Sequence, residues 1–367
     1  MTRLLIVVHG MGSNPPGWSD SIVQKLDAVA ARYSAFSKGA PFSKQCTIRE
    51  VRYDNVFERY IEDWGAKATE FKKFQDDHEV QLPKLMQWLT STTLPPEQQS
   101  FFWSTLMDPV LYRAFAVVRD EVRAIVMAQI VGHCAANMRA GSVQASILAH
   151  SLGTAVVHDT LQLLASKPQL GNDSFTAAAG WHFESLFMLA DVCRLGPPKL
   201  LDFPDSGAGY LVRPRSAGTA GDLSSFYCNE LYSFRHEFDP FVRWAPFLPA
   251  NWGDDFGNPT PLKPICQANV HGFDHYLDNP VVHVPIINDV LGFSAISTKE
   301  ALDAIANYPP SNPVMCSAQV SQLQSLVSQL PDAGQDLEQM AILGAQFFTT
   351  AKQLANDCKA LGGDLGA

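Results

Sequence analysis

A serine held between small residues ends a buried apolar run in Ile147-Leu148-Ala149-His150-Ser151-Leu152-Gly153-Thr154. The stretch from Val143 to Ala149 has the composition of a buried strand, and Thr154 to Ala165 carries apolar residues at helical spacing. Ser151 is therefore expected at a sharp strand-to-helix turn. Such a turn strains the serine backbone and exposes its hydroxyl, while small residues two before and two after, Ala149 and Gly153, let strand and helix approach. Above the first turn of a helix, free N–H groups and the helix dipole favour the negative charge of an acyl-transfer intermediate. The amino terminus supplies the matching half. Leu4-Leu5-Ile6-Val7-Val8-His9-Gly10-Met11-Gly12 is a strand run ending in His-Gly. A glycine at that end lets the backbone turn and aim the N–H of Met11 at the oxyanion, with the N–H of Leu152 as the second donor.

The two motifs together resemble the α/β-hydrolase family, particularly its small bacterial lipase-like serine esterases. Ala149 stands where the family's GxSxG string has its first glycine. A serine nucleophile needs a base to take its proton and a carboxylate to hold that base in one tautomer, and the resemblance implies the chain order serine, acid, histidine. The acid it points to is Asp239, in Asp239-Pro240-Phe241-Val242-Arg243, just past the penultimate predicted strand. Asp191, one strand earlier, is the alternative and Glu237 the third choice; the plain structural reading of each is a solvated loop carboxylate. The base lies in Asn269-Val270-His271-Gly272-Phe273-Asp274-His275-Tyr276-Leu277-Asp278-Asn279-Pro280. His275 fits the Asp-His-aromatic-aliphatic run of lipase-like sequences and is preferred on that ground. His271 is nearer the strand end, Gly272 gives its loop freedom, and a histidine at a helix start is the poorer imidazolium. His9, Gly10 and His150 are placed to line the substrate side, with a structural role as the alternative for His150. His158, His182 and His283 read as ordinary helix or strand residues.

These residues need a scaffold. Ile22, Leu26, Val29, Ala30 and Tyr33 mark a helix from about Ser19, and Thr47 to Tyr53 alternates as a strand, giving a βαβ opening and hence a parallel sheet. Further strands are predicted over Glu184 to Val192, Asn229 to Arg235 and Pro261 to Val270, with a Gly/Ser/Pro-rich loop from Asp205 to Ser224 and a closing helix from Pro280 to Leu291. The expected fold class is α/β: a mostly parallel sheet of about six strands with helices on both faces, a minimal α/β-hydrolase fold lacking the first hairpin. Residues 1–293 would form this domain. Within it, 55–140 shows only helical patterns, with Trp88, Leu89, Leu94, Phe101, Phe102, Trp103 and Leu106 forming either a cap over an apolar channel or plain packing. Residues 294–367 form a helical extension, with amphipathic stretches from Ala318 to Leu330 and Asp336 to Leu361 that offer a surface for a partner or a second subunit.

With 367 residues, 46% of them hydrophobic, the chain can bury a sizeable core. Its net charge of −10 and lack of a basic cluster argue against nucleic acid. Seven cysteines without a CxxC pair argue against a disulfide framework and a zinc site, and the chain opens directly into its first strand with no signal-peptide pattern. A cytoplasmic protein with no transmembrane segment, no metal and no organic cofactor is the reading; secretion without a cleaved signal would leave no trace here. The function expected is a serine hydrolase cleaving carboxylic esters of small-molecule or lipid type through an acyl-enzyme. The alternatives are a secreted phospholipase-type effector and a catalytically silent binding module of the same shape.

Overall fold

The computed structural model describes residues 2–60, 62, 108, 112, 116–138, 142–166, 182–192, 213–214, 226–237, 239, 242, 260–262, 270–308 and 325. Strand β1 (Thr2–Val8) leads through a loop to helix α1 (Asp20–Ala30), the one-turn helix α2 (Ser34–Ser37) and strand β2 (Thr47–Val51). Helix α3 (Ala116–Met138) precedes β3 (Val143–His150), α4 (Leu152–Ser166) and β4 (Phe183–Leu189). Then come β5 (Arg213–Pro214), β6 (Phe226–His236), β7 (Thr260–Leu262), α5 (Phe273–Asp278), α6 (Pro280–Leu291) and α7 (Thr298–Asn307).

All strand pairs are parallel and the order is β2-β1-β3-β4-β6-β5, with β7 also paired to β6. The two short strands share one edge of β6, β5 meeting it at Phe226 and Cys228 and β7 at Phe234 to His236. Among the described residues, seven strands thus fill six positions. The expected parallel α/β architecture is present, with two differences. Strand β5 falls inside the stretch predicted as loop; two residues, one of them proline, carry no readable alternation. The last strand is described only over Thr260–Leu262, and Val270 already belongs to the turn before α5.

Central strands buried on both faces require near-continuous apolar runs, and Leu4 to Val8 and Ile147 to Ala149 are fully enclosed. Helix α3 turns Val118, Val122, Val126, Ile130 and Cys134 inward at four-residue spacing and packs with α4 over β1 and β3. Helices α1 and α6 pack together, and α6 lies against β1, β3 and β4. Proline at its first position and an Asn279 side chain accepting the Val281 N–H at 3.0 Å start α6; Gly292 at φ 64° ends it. Helix α7 opens with a reciprocal Ser297–Glu300 capping box and rests on α6. The aromatic segment from Trp88 to Leu106 and the two amphipathic stretches after Ala318 lie outside the described residues, apart from Ser325. Among the described residues, no helix is long and apolar enough to cross a membrane.

Candidate active site

Ser151 stands at the carboxyl end of β3 with φ 53°, the left-handed region that a non-glycine residue enters only under constraint. Three contacts impose it. The Ser151 N–H donates to the Leu189 carbonyl at the end of β4 at 2.9 Å, and the Thr154 hydroxyl donates to the Ser151 carbonyl at 2.7 Å. The same hydroxyl accepts the Val192 N–H at 3.0 Å, tying the turn to the chain leaving β4. At Gly153 a Cβ would lie 2.2 Å from the His9 carbonyl oxygen, so only glycine lets α4 begin against the end of β1.

The side chain of Ser151 is joined to one histidine. His271 Nε2 lies 2.7 Å from Ser151 Oγ, and His271 Nδ1 lies 2.8 Å from Asp239 Oδ2. A carboxylate only accepts, so Nδ1–H donates to Asp239 and Nε2 is left as the lone pair facing the serine hydroxyl. Asp239 is fully buried. Burial alone would raise its pKa, but the adjoining His271, the Tyr276 hydroxyl donating at 2.9 Å and the Val242 N–H at 3.4 Å outweigh it and hold the carboxyl below its ordinary value. Tyr276 also accepts the His236 N–H at 2.9 Å, so it bolts the acid to the end of β6. Its role has no sequence signal beyond an aromatic beside His275. Tyr276→Phe strips a donor from Asp239 and orphans a buried N–H. The expected cost is about 2 kcal/mol in denaturant unfolding and about a tenfold fall in kcat with KM little changed.

The preferred base of the sequence reading, His275, is elsewhere. It lies within α5, its ring set edge-on to His236 with centroids 4.9 Å apart, and among the described residues its buried Nδ1 has no hydrogen-bond partner. Burial, with His236 adding to it, pulls its pKa down to about 3. The physical reason is the early helix start: with Gly272 as N-cap, His271 stays on the turn facing the sheet while His275 is carried round the helix. Of the acid alternatives, Asp191 is buried and accepts the Ser233 hydroxyl at 2.8 Å, and Glu237 is exposed.

His9 does not line the substrate side as expected. It is 2% exposed, stacks on Tyr53 at 4.2 Å between ring centroids, and brings Nδ1 to 2.8 Å from the Gly10 carbonyl oxygen. The Tyr53 hydroxyl donates to the carbonyls of His9 at 2.7 Å and Gly10 at 3.3 Å. With no cis peptide in the described backbone, the Gly10 carbonyl pointing inward turns the Met11 N–H to the opposite side of the loop. Gly10 itself abuts Ser151: a Cβ there would lie 2.8 Å from Ser151 Cβ. The Leu152 N–H heads α4, where no intrahelical acceptor exists. Among the described residues, neither that N–H nor the one of Met11 has a hydrogen-bond partner.

His150 takes its structural alternative. Its Nε2–H donates to the His271 carbonyl at 2.6 Å and its ring stacks on Phe273, so it holds the loop bearing His271 in place. Burial, with His271 adding to it, lowers its pKa to about 3 and keeps it neutral. The expected exposed hydroxyl is also corrected: Ser151 is 1% exposed, with Gly10 and His271 against it. Among the described residues, no group of three or more His, Cys, Asp or Glu side chains could hold a metal ion. No protein-family model, no curated protein and no solved structure matches this chain, and its chemistry is therefore to be read from the geometry itself.

Proposed function

We propose that the chain is a serine hydrolase of the α/β-hydrolase type, cleaving carboxylic esters through an acyl-enzyme. The observation that carries this reading is the unbroken hydrogen-bond chain from Asp239 through His271 to Ser151 at a strained strand-to-helix turn. In the reaction, Ser151 Oγ attacks the ester carbonyl as His271 Nε2 takes its proton, and Asp239 stabilises the imidazolium so formed. The N–H groups of Met11 and Leu152 receive the oxyanion. Collapse of the tetrahedral intermediate expels the alcohol, which takes the proton back from Nε2. Water then repeats the sequence, releasing the acid and restoring the serine. No step requires a metal or an organic cofactor. Amide hydrolysis would use the same parts but must expel a poorer leaving group, so esters are the substrate class favoured.

A fluorophosphonate probe tests the proposal. Wild-type protein is expected to take up one probe, located on Ser151 by peptide mass, and Ser151→Ala to take up none. A folded wild-type protein that stays unlabelled, even when offered acyl esters from acetate to palmitate as alternative substrates, would favour a silent binding module.

A further inference from the structure

The loop that carries Met11 is clamped from beneath by residues outside both sequence motifs. The Gly12 N–H donates to Asp108 Oδ2 at 2.8 Å and the Asn14 N–H to Asp54 Oδ2 at 2.9 Å. The Ser13 hydroxyl donates to Glu58 at 2.6 Å, and Arg52 Nε donates to the Asn14 carbonyl at 2.9 Å. Gly12 sits at φ 92°, so the turn depends on a conformation that only glycine adopts freely, and glycine alone would not hold it. The restraint is supplied on both sides of Met11: His9 and Tyr53 fix the carbonyl of the preceding peptide, Asp108 the N–H of the following one.

We propose that Asp108 is a positioning residue for the oxyanion site, setting the Met11 amide through its hydrogen bond with the Gly12 N–H. The inference rests on the serine-hydrolase reading for its catalytic consequence, and on the loop contacts alone for its structural one. Asp108 comes from the segment read as a helical insertion, 96 residues after Gly12 in the chain. Tyr112, four residues on in the chain, donates its hydroxyl to Asp159 of α4 at 2.9 Å. The same short stretch thus reaches the loop bearing one oxyanion donor and the helix whose amino terminus bears the other. Asp108 is 4% exposed, so this is an internal contact and not a solvated side chain that happens to lie close. Burial, with Asp54 and Glu58 adding to it against the Gly12 hydrogen bond, raises the Asp108 pKa to about 7. An amide is therefore a fair replacement, since it keeps the acceptor and resembles the carboxyl's uncharged form.

The comparison is Asp108→Ala against Asp108→Asn. Alanine removes the acceptor and is expected to lower kcat about thirty- to hundredfold with KM within about threefold, because misplacing one oxyanion donor weakens transition-state binding more than substrate binding. Asparagine is expected to stay within about threefold of wild type in kcat. Amide hydrogen exchange over residues 9–14 gives a readout independent of turnover, with Gly12 protection lost in Asp108→Ala and kept in Asp108→Asn. Equal kcat in both variants, or unchanged protection in the alanine variant, overturns the proposal. If wild type fails to react with the fluorophosphonate, the ester-hydrolase reading falls, while the exchange comparison still decides whether Asp108 sets the loop.

Discussion

Replacing His271 by alanine is expected to lower kcat on a carboxylic ester by about four orders of magnitude, with KM changed little. Fluorophosphonate labelling should slow in parallel. His271 is the imidazole that touches both Ser151 Oγ at 2.7 Å and Asp239 Oδ2 at 2.8 Å, so its loss removes proton transfer and takes one hydrogen-bond donor from the buried carboxylate. His275→Ala is the matched control, four positions away. It deletes a buried ring whose Nδ1 is already unpartnered among the described residues, and is expected to cost about 1–3 kcal/mol in unfolding while leaving kcat within about threefold. Steady-state kinetics beside denaturant midpoints separate the two effects. Comparable kcat losses in both variants would mean that the base has been misassigned.

That pair of histidines also marks where sequence reasoning stops. Ser151 could be read because its signal is local: strand, small residues and helix follow one another, and the structure gives Ser151 a positive φ between β3 and α4. The βαβ opening was equally legible, since Ile22, Leu26, Val29 and Ala30 form a single buried stripe. Choosing between His271 and His275 needs the residue at which α5 begins, and a shift of one turn exchanges their directions. The inward face of His9 was illegible for another reason. A residue at the end of a strand can turn under or over the loop that follows, and Tyr53, stacked on His9 from beyond the end of β2, decides it. Asp108 gave no signal and Tyr276 none beyond an aromatic beside His275, because they act through partners such as Gly12 and Asp239, 96 and 37 residues distant. Contacts of that separation leave no periodicity.

Gly153→Ala is expected to cost at least about 3 kcal/mol of stability, and what remains folded should lose its reactive serine. The added Cβ would stand 2.2 Å from the His9 carbonyl oxygen and 3.0 Å from that of Val8. Both obstacles are backbone, so no side-chain rotation relieves them. Nor can β1 withdraw, because it is hydrogen-bonded in register along one side to β2 and along the other to β3. Helix α4 must therefore lift, and its first residues drag on Ser151, whose own N–H is held by Leu189. Gly132→Ala is the control: in α3, with nothing within 4 Å of the new atom, it should be neutral or raise stability by up to about 1 kcal/mol. Denaturant midpoints and fluorophosphonate labelling of both variants check the contrast. A stable, fully labelled Gly153→Ala protein would show that α4 does not approach β1 so closely, and the close-packed turn that strains Ser151 would have to be abandoned with it.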